Sequence, residues 1–196
     1  MLGKATHSRA MAQAGSGIKL KKCGTAALLL CQNEYCTYRD MQHPIRICYL
    51  RPSARALYEA AGGLAYATSY SAGLDLRACF ADAERIIPAG SRAEVPSGIA
   101  VEPLTPNIAG FVYSRSGLGA VRGLTVAQGV GVIDPDYRGE IIVFLLNTSG
   151  EERRLRRGER MAQLVFQPIV RAELEVAEKL GETERGAGAF GHTGRI

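Results

Sequence analysis

The stretch GVIDPDYRGEIIVFLLN, residues 131–147, decides how this chain folds. Two apolar runs, GVI and IIVFLL, read as strands, and between them stand Asp134, Pro135, Asp136, Tyr137, Arg138 and Gly139. Pro135 presets a turn and Gly131 and Gly139 free the backbone on either side, so two acids are held at a strand corner. Taken alone, the stretch supports two readings. It is either a β-hairpin whose Asp side chains satisfy turn amides, or a corner that presents a carboxylate for chemistry.

The same rhythm extends in both directions. From Pro44 onward, short apolar or alternating runs are punctuated by Gly, Pro and Asn: IRICYL, ERIIP, SRAEVP, GIAVEP, GFVYSR, GLTVAQ and RMAQLVFQPIV. That spacing predicts an all-β sandwich or barrel. Only PSARALYEAA and SGLGAVRG suit a turn or two of helix, and there is no βαβ alternation. The last residues, RGAGAFGHTGR, hold four Gly and one large apolar side chain, Phe190, so 185–196 is expected to be a mobile arm.

With 196 residues the chain is long enough for one domain with a core of its own. Its net charge of +5 is unevenly placed: residues 1–43 carry a net of +4, whereas the remainder sets 18 basic against 17 acidic side chains. Four of the five Lys also fall in that first part, which marks a boundary near Met41. We therefore expect an extension over 1–43, disordered or arising from a start placed too early, and a β-barrel domain over 44–184. A nearly neutral body without a basic stripe argues against nucleic acid as a partner. No apolar run is long enough for a membrane span, so no membrane partner is expected.

Five Cys without repeated spacing do not read as a disulfide framework, which points to a reducing, cytoplasmic compartment. The basic, acid-poor residues 1–40 would also suit an organelle transit segment, the less favoured reading.

Within 44–196 the only His is His192, in the arm, which leaves the rigid part without a His-based triad or metal site. Chemistry must then rest on carboxylates, and carboxylates without imidazole suit Mg2+ bound together with substrate phosphates. Asp75 sits between Leu74 and Leu76 in SAGLDLRA, where an unpaired carboxylate would be costly. YSRSGLG, 113–119, brings Arg115, Ser116 and Gly117 into a loop suited to oxyanions. GERMAQLVF, 158–166, carries one uncharged amide, Gln163, amid apolar residues. Each of these also has an ordinary structural reading: a polar-face acid, a common turn, a paired core amide.

Taken in order, the five segments resemble the five motifs of the trimeric dUTPases, the deoxyuridine triphosphate nucleotidohydrolases, across essentially all of 44–196. The resemblance implies a homotrimer of β jelly-roll subunits, with sites assembled from more than one chain and dUTP hydrolysed to dUMP and pyrophosphate. It implies that Asp134 positions and deprotonates the attacking water, and that Asp75 holds Mg2+ through water. Arg115, Ser116, Gly117 and Gln163 would serve the phosphates, and Tyr137 would pack on the deoxyribose. Gln128 and Gly131 would border the uracil. The arm would close with Phe190 and Gly191 over the base and Arg185 and Thr193 toward the γ-phosphate. Asp136 and Arg138 are assigned to turn and interface structure.

Two departures stand out. Gln128 occupies a position where many members of that family have Asn, and Ala187 and Ala189 replace more usual arm residues. The dCTP deaminases share the fold but need a glutamate ten residues beyond the aspartate matched by Asp134, and here that residue is Phe144. A non-catalytic interaction protein retaining the fold is the alternative from another class.

Overall fold

The computed structural model describes residues 43–189. The expected extension over 1–43 lies outside the described residues except for His43, as do Phe190, Gly191 and Thr193 of the arm. Residues from Gln42 on cluster as one compact unit.

The chain is all-β, of jelly-roll type. Its strands are β1 (Ile45–Tyr49), β2 (Leu74–Arg77), β3 (Glu84–Ile87), β4 (Arg92–Pro96), β5 (Ile99–Pro103), β6 (Ile108–Ser114), β7 (Leu124–Val126), β8 (Gly131–Ile133), β9 (Ile142–Asn147), β10 (Arg153–Arg156) and β11 (Arg160–Pro168). They pair antiparallel in the orders β2-β11-β6-β8, β4-β9-β7, β1-β5 and β10-β3. Alternation decides which side chains go inward. On β9, Val143, Leu145 and Asn147 are buried while Ile142 and Phe144 face out, and β2 buries Leu74 and Leu76 while leaving Asp75 and Arg77 half-buried. β11 departs from this rule by burying both Met161 and Ala162 in succession. A register shift between Arg160 and Ala162 against β2 makes that possible, since a bulge turns two consecutive side chains the same way.

Residues 131–147 do not form a hairpin. β8 joins β6 in the four-stranded sheet, whereas β9 lies between β4 and β7 in the other. The turn at Asp134–Gly139 therefore carries the chain from one sheet to the next.

Of the two expected helical segments, one is α1 (Pro52–Glu59), with Pro at its start and Ala54 and Tyr58 buried four residues apart on one face. The Tyr58 hydroxyl donates to the Ser97 carbonyl at 3.1 Å and accepts the Arg77 N–H at 3.0 Å. Burial pushes its pKa up to about 12. The other is a single π-turn, Gly117–Val121, directly after Ser116.

The strand β10 escapes the sequence reading because Leu155 is its only buried residue, among three arginines. The last strand ends at Pro168, and no further strand follows among the described residues. Val170, Leu174, Val176 and Leu180 beyond it are almost fully exposed. Among the described residues the strands thus end at Pro168, and the chain from there to residue 184 is without strand or helix. At Arg185 the chain makes a local turn, its Nε donating to the Gly188 carbonyl at 3.1 Å and its own carbonyl accepting the Gly188 N–H at 2.9 Å.

Candidate active site

The sheet-crossing turn forms one wall of a cavity of about 220 Å³ that Gln128, Gly131, Asp134, Tyr137 and Glu140 line together, over an apolar floor that includes Val112 and Val143. Asp134 is exposed to it, and the Asp134 carbonyl accepts the Tyr137 N–H at 3.1 Å, closing the turn. The Tyr137 hydroxyl donates to the Glu140 carbonyl at 2.9 Å, which stands the ring over Gly139. Arg138 braces the turn from outside: Nη1 donates to the Pro135 carbonyl at 2.7 Å and the Tyr137 carbonyl at 3.1 Å, and Nη2 reaches Glu102 at 3.4 Å. Gly131 is buried, and a Cβ there would approach Val112 Cβ at 3.2 Å and Gln128 Nε2 at 3.3 Å. A side chain there would need Val112 or the Gln128 amide to give way by a few tenths of an ångström.

Glu140 closes the turn at its far end. Its carboxylate takes two hydrogen bonds from Arg51, at 3.0 and 2.7 Å, and one from the Gly98 N–H at 2.6 Å. Burial alone would raise its pKa, but the Arg51 hydrogen bonds, the Gly98 N–H and the Arg51 charge together hold it below the ordinary glutamate value.

A second group gathers on the other side of β6. Gln163 of β11 lies directly opposite both Asp75 of β2 and Tyr113 of β6, so the three side chains share one face of the sheet. Asp75 is flanked by Arg115, Nε to Oδ1 at 2.8 Å, and by Arg160, Nη1 to Oδ2 at 3.2 Å. The Arg115 Nε is buried and, although close to Asp75, makes no aligned hydrogen bond. The contact with Asp75 is a close ion pair without an aligned hydrogen bond. Ser116 and Gly117 lie exposed at the start of the π-turn, and a Cβ on Gly117 would meet nothing within 4 Å. π-turns recur at functional positions.

Four of the five sequence segments thus fall into two groups in one chain: Gly131, Asp134 and Tyr137, joined by Gln128, around the cavity, and Asp75, Arg115, Ser116 and Gln163 around the outer face of β2, β11 and β6. Arg185 belongs to neither, and the remaining arm residues lie beyond the described ones. Sequence reasoning missed Arg160, Glu140, Arg51 and Gly98. Arg160 precedes the bulge, whose register no periodicity shows, and Arg51 and Glu140 are 89 residues apart.

Among the described residues no three His, Cys, Asp or Glu side chains converge to hold a metal ion. Asp75 is a single carboxylate with an arginine at each oxygen. This donor set fits Mg2+ that keeps its waters and arrives with phosphate oxygens, and does not fit an ion caged by protein.

An exposed carboxylate beside an aromatic ring in one group, and guanidinium, hydroxyl and amide groups in the other, are the residue types suited to holding and hydrolysing a phosphorylated ligand. The dUTPase family model matches residues 61–194, and the chain belongs to the dUTPase family. The deoxyuridine 5'-triphosphate nucleotidohydrolases of Salmonella paratyphi A and Salmonella typhi are each 46% identical to it over 130 residues, 66% of this chain and 85% of theirs. Among solved structures, the dUTPase of Streptococcus mutans superposes with a TM-score of 0.51 at 29% identity, over 56% of this chain and 87% of its own. A mutant dUTPase of Staphylococcus bacteriophage 80alpha, solved with dUpNHpp, superposes at 0.66 over 78% of this chain and 99% of its own. A phage phi11 dUTPase, whose structure shows the coordination of a structural Mg(II) ion, superposes at 0.59 over 71% and 99%. These phage proteins are 22% and 20% identical and attest to the fold.

Proposed function

We propose that this chain hydrolyses dUTP to dUMP and pyrophosphate. The observation that carries the reading is the cavity in which Asp134, Tyr137, Gln128 and Gly131 meet. Asp134 orients a water and takes its proton as the water oxygen bonds to the α-phosphorus. The bond from that phosphorus to the bridging oxygen breaks, and pyrophosphate leaves with the electron pair. Tyr137 packs on the deoxyribose and leaves no room for a 2′-hydroxyl, while Gln128 and the backbone at Gly131 border the uracil. Arg115, Ser116, Gly117 and Gln163 receive the phosphates. Mg2+ on the triphosphate would neutralise charge, and Asp75 is the residue that would hold it, through water. Such chemistry asks the protein mainly for positioning and charge complementarity.

The working form is a homotrimer in which one site draws on more than one chain. Supporting this, the two groups of site residues border opposite sides of β6 in the single chain. The chain also leaves Val132, Ile142 and Phe144 exposed on the body and Val170, Leu174, Val176 and Leu180 exposed beyond it, apolar side chains that neighbouring protomers would cover. Arg185, Phe190, Gly191 and Thr193 then close over the nucleotide from the arm. No helix among the described residues is long and apolar enough to cross a membrane, and a cytoplasmic site of action fits a nucleotide substrate.

Pyrophosphate release from dUTP, UTP and dCTP tests the reading. Selective release from dUTP is expected; no release, or release of ammonia from dCTP, would overturn it. Phe144, where a deaminase would need its glutamate, is half-exposed on β9 and offers no proton-transfer group.

A further inference from the structure

Residue 140 is engaged at both ends. Its carbonyl accepts the Tyr137 hydroxyl at 2.9 Å, and its carboxylate accepts Arg51 twice and the Gly98 N–H once. Arg51 is itself fixed, because its Nη2 also donates to the Cys79 carbonyl at 3.1 Å and because it directly precedes α1, anchored in the core by Ala54 and Tyr58. Gly98 is equally constrained: at φ +75° it lies where a Cβ would stand 2.4 Å from Ala54 Cβ and 2.9 Å from Cys79 Sγ. The start of α1 and the turn before β5 thus converge on one carboxylate, whose side chain is 19% exposed, and the chain after β2 holds its arginine partner. Between this anchor and Tyr137 lie only Arg138 and Gly139. If the carboxylate let go, the peptides at the glycine could rotate and carry the carbonyl away from the ring.

We propose that the Arg51–Glu140 pair positions Tyr137, and that through Tyr137 it is a determinant of sugar discrimination. This inference rests on the reading above, in which Tyr137 faces the deoxyribose. Neither residue contacts the sugar. The pair acts by holding the carbonyl that holds the ring. A salt bridge serving stability alone would have no such tie to the cavity, whereas Glu140 lines it together with Asp134 and Tyr137.

The experiment compares kcat and KM for dUTP and UTP in the full chain and its Arg51→Met, Glu140→Ala, Arg51→Lys and Tyr137→Ala variants, with the melting temperature of each. Arg51→Met and Glu140→Ala should each lower the dUTP over UTP ratio of kcat/KM by about tenfold or more, chiefly through KM. Arg51→Lys, which keeps charge but loses the two-pronged contact, should fall between them and the unaltered protein. A protein carrying both Arg51→Met and Glu140→Ala should discriminate no worse than the poorer single, as expected of two groups acting as a unit. If one variant fails to fold, Arg51→Lys still reads the effect. The inference is overturned if Tyr137→Ala narrows the ratio while the folded Arg51 and Glu140 variants retain it. A wild-type protein that hydrolyses both nucleotides equally would instead overturn the underlying reading.

Discussion

Gly139 lies so close beneath the Tyr137 ring that a Cβ on residue 139 would stand 2.4 Å from the Tyr137 hydroxyl oxygen and 2.6 Å from the carbon that bears it. No side chain coexists with the ring in that place. Gly139→Ala must displace Tyr137, and a misplacement on the order of 1 Å at a reacting site can cost about 10²-fold. We expect dUTP kcat/KM to fall by roughly that factor, with thermal melting little changed because the position borders solvent. Unaltered kinetics would show that the ring is not where substrate binds.

The exposed Asp134 tests the chemistry itself. Asp134→Asn should leave melting temperature and affinity for a non-hydrolysable dUTP analogue nearly unchanged, while turnover drops by about 10²–10⁴-fold, since an amide cannot take the water's proton. Single-turnover pyrophosphate release separates the step from binding. A variant within tenfold of wild type would return the acid to a turn-stabilising role.

Glu140 predicts a pH dependence of stability. Its folded-state pKa lies below the ordinary value, so its contribution is present above the unfolded-state pKa and is lost as pH falls through the folded one. Denaturant midpoints should decline below about pH 4.3, and Glu140→Gln should flatten that decline. An equal slope in both proteins would remove Glu140 from the acid transition.

Asn147 offers a purely structural contrast. It is fully buried, donates to the Ile87 and Glu151 carbonyls at 2.8 and 2.7 Å, and accepts from Ser149 N and Oγ at 3.0 and 2.7 Å. Asn147→Ala strands several buried partners and should cost about 2–4 kcal/mol in urea unfolding. The dUTP over UTP ratio of the folded fraction should not move.

Removing residues 185–196 should leave the fold intact, because Arg185 hydrogen-bonds to Gly188 within a local turn beyond the last strand among the described residues. Turnover should collapse if the arm closes the site. Melting and pyrophosphate release on the truncated protein check both halves, and an unfolded product would make the segment structural.

The sequence pattern made most strands legible because their apolar residues alternate or cluster, as in IAVEP and RMAQLVFQP. It did not reveal β10, where Arg153, Arg154 and Arg156 hide a single buried Leu155. The pairing of Asp75 with Arg160 was also out of reach, because a register shift sets it and no spacing records one. The individual acids were visible by type. Their grouping was not, since Arg51 and Glu140, far apart in the chain, meet only through tertiary packing. The hairpin reading of 131–147 failed for a related reason. Two apolar runs around a turn look alike whether or not they pair with each other.

That sheet-crossing turn also dictates when the site can come into being. A hairpin closes on its own within microseconds, but β8 must find β6 and β9 must find β4 and β7 before residues 134–139 are held at either end. Non-local pairings are slow to form because loop closure precedes their reward. The corner at residues 134–139 is therefore expected to form late in folding, once both sheets are built. In a refolding time course, the return of pyrophosphate release should lag the return of strand signal.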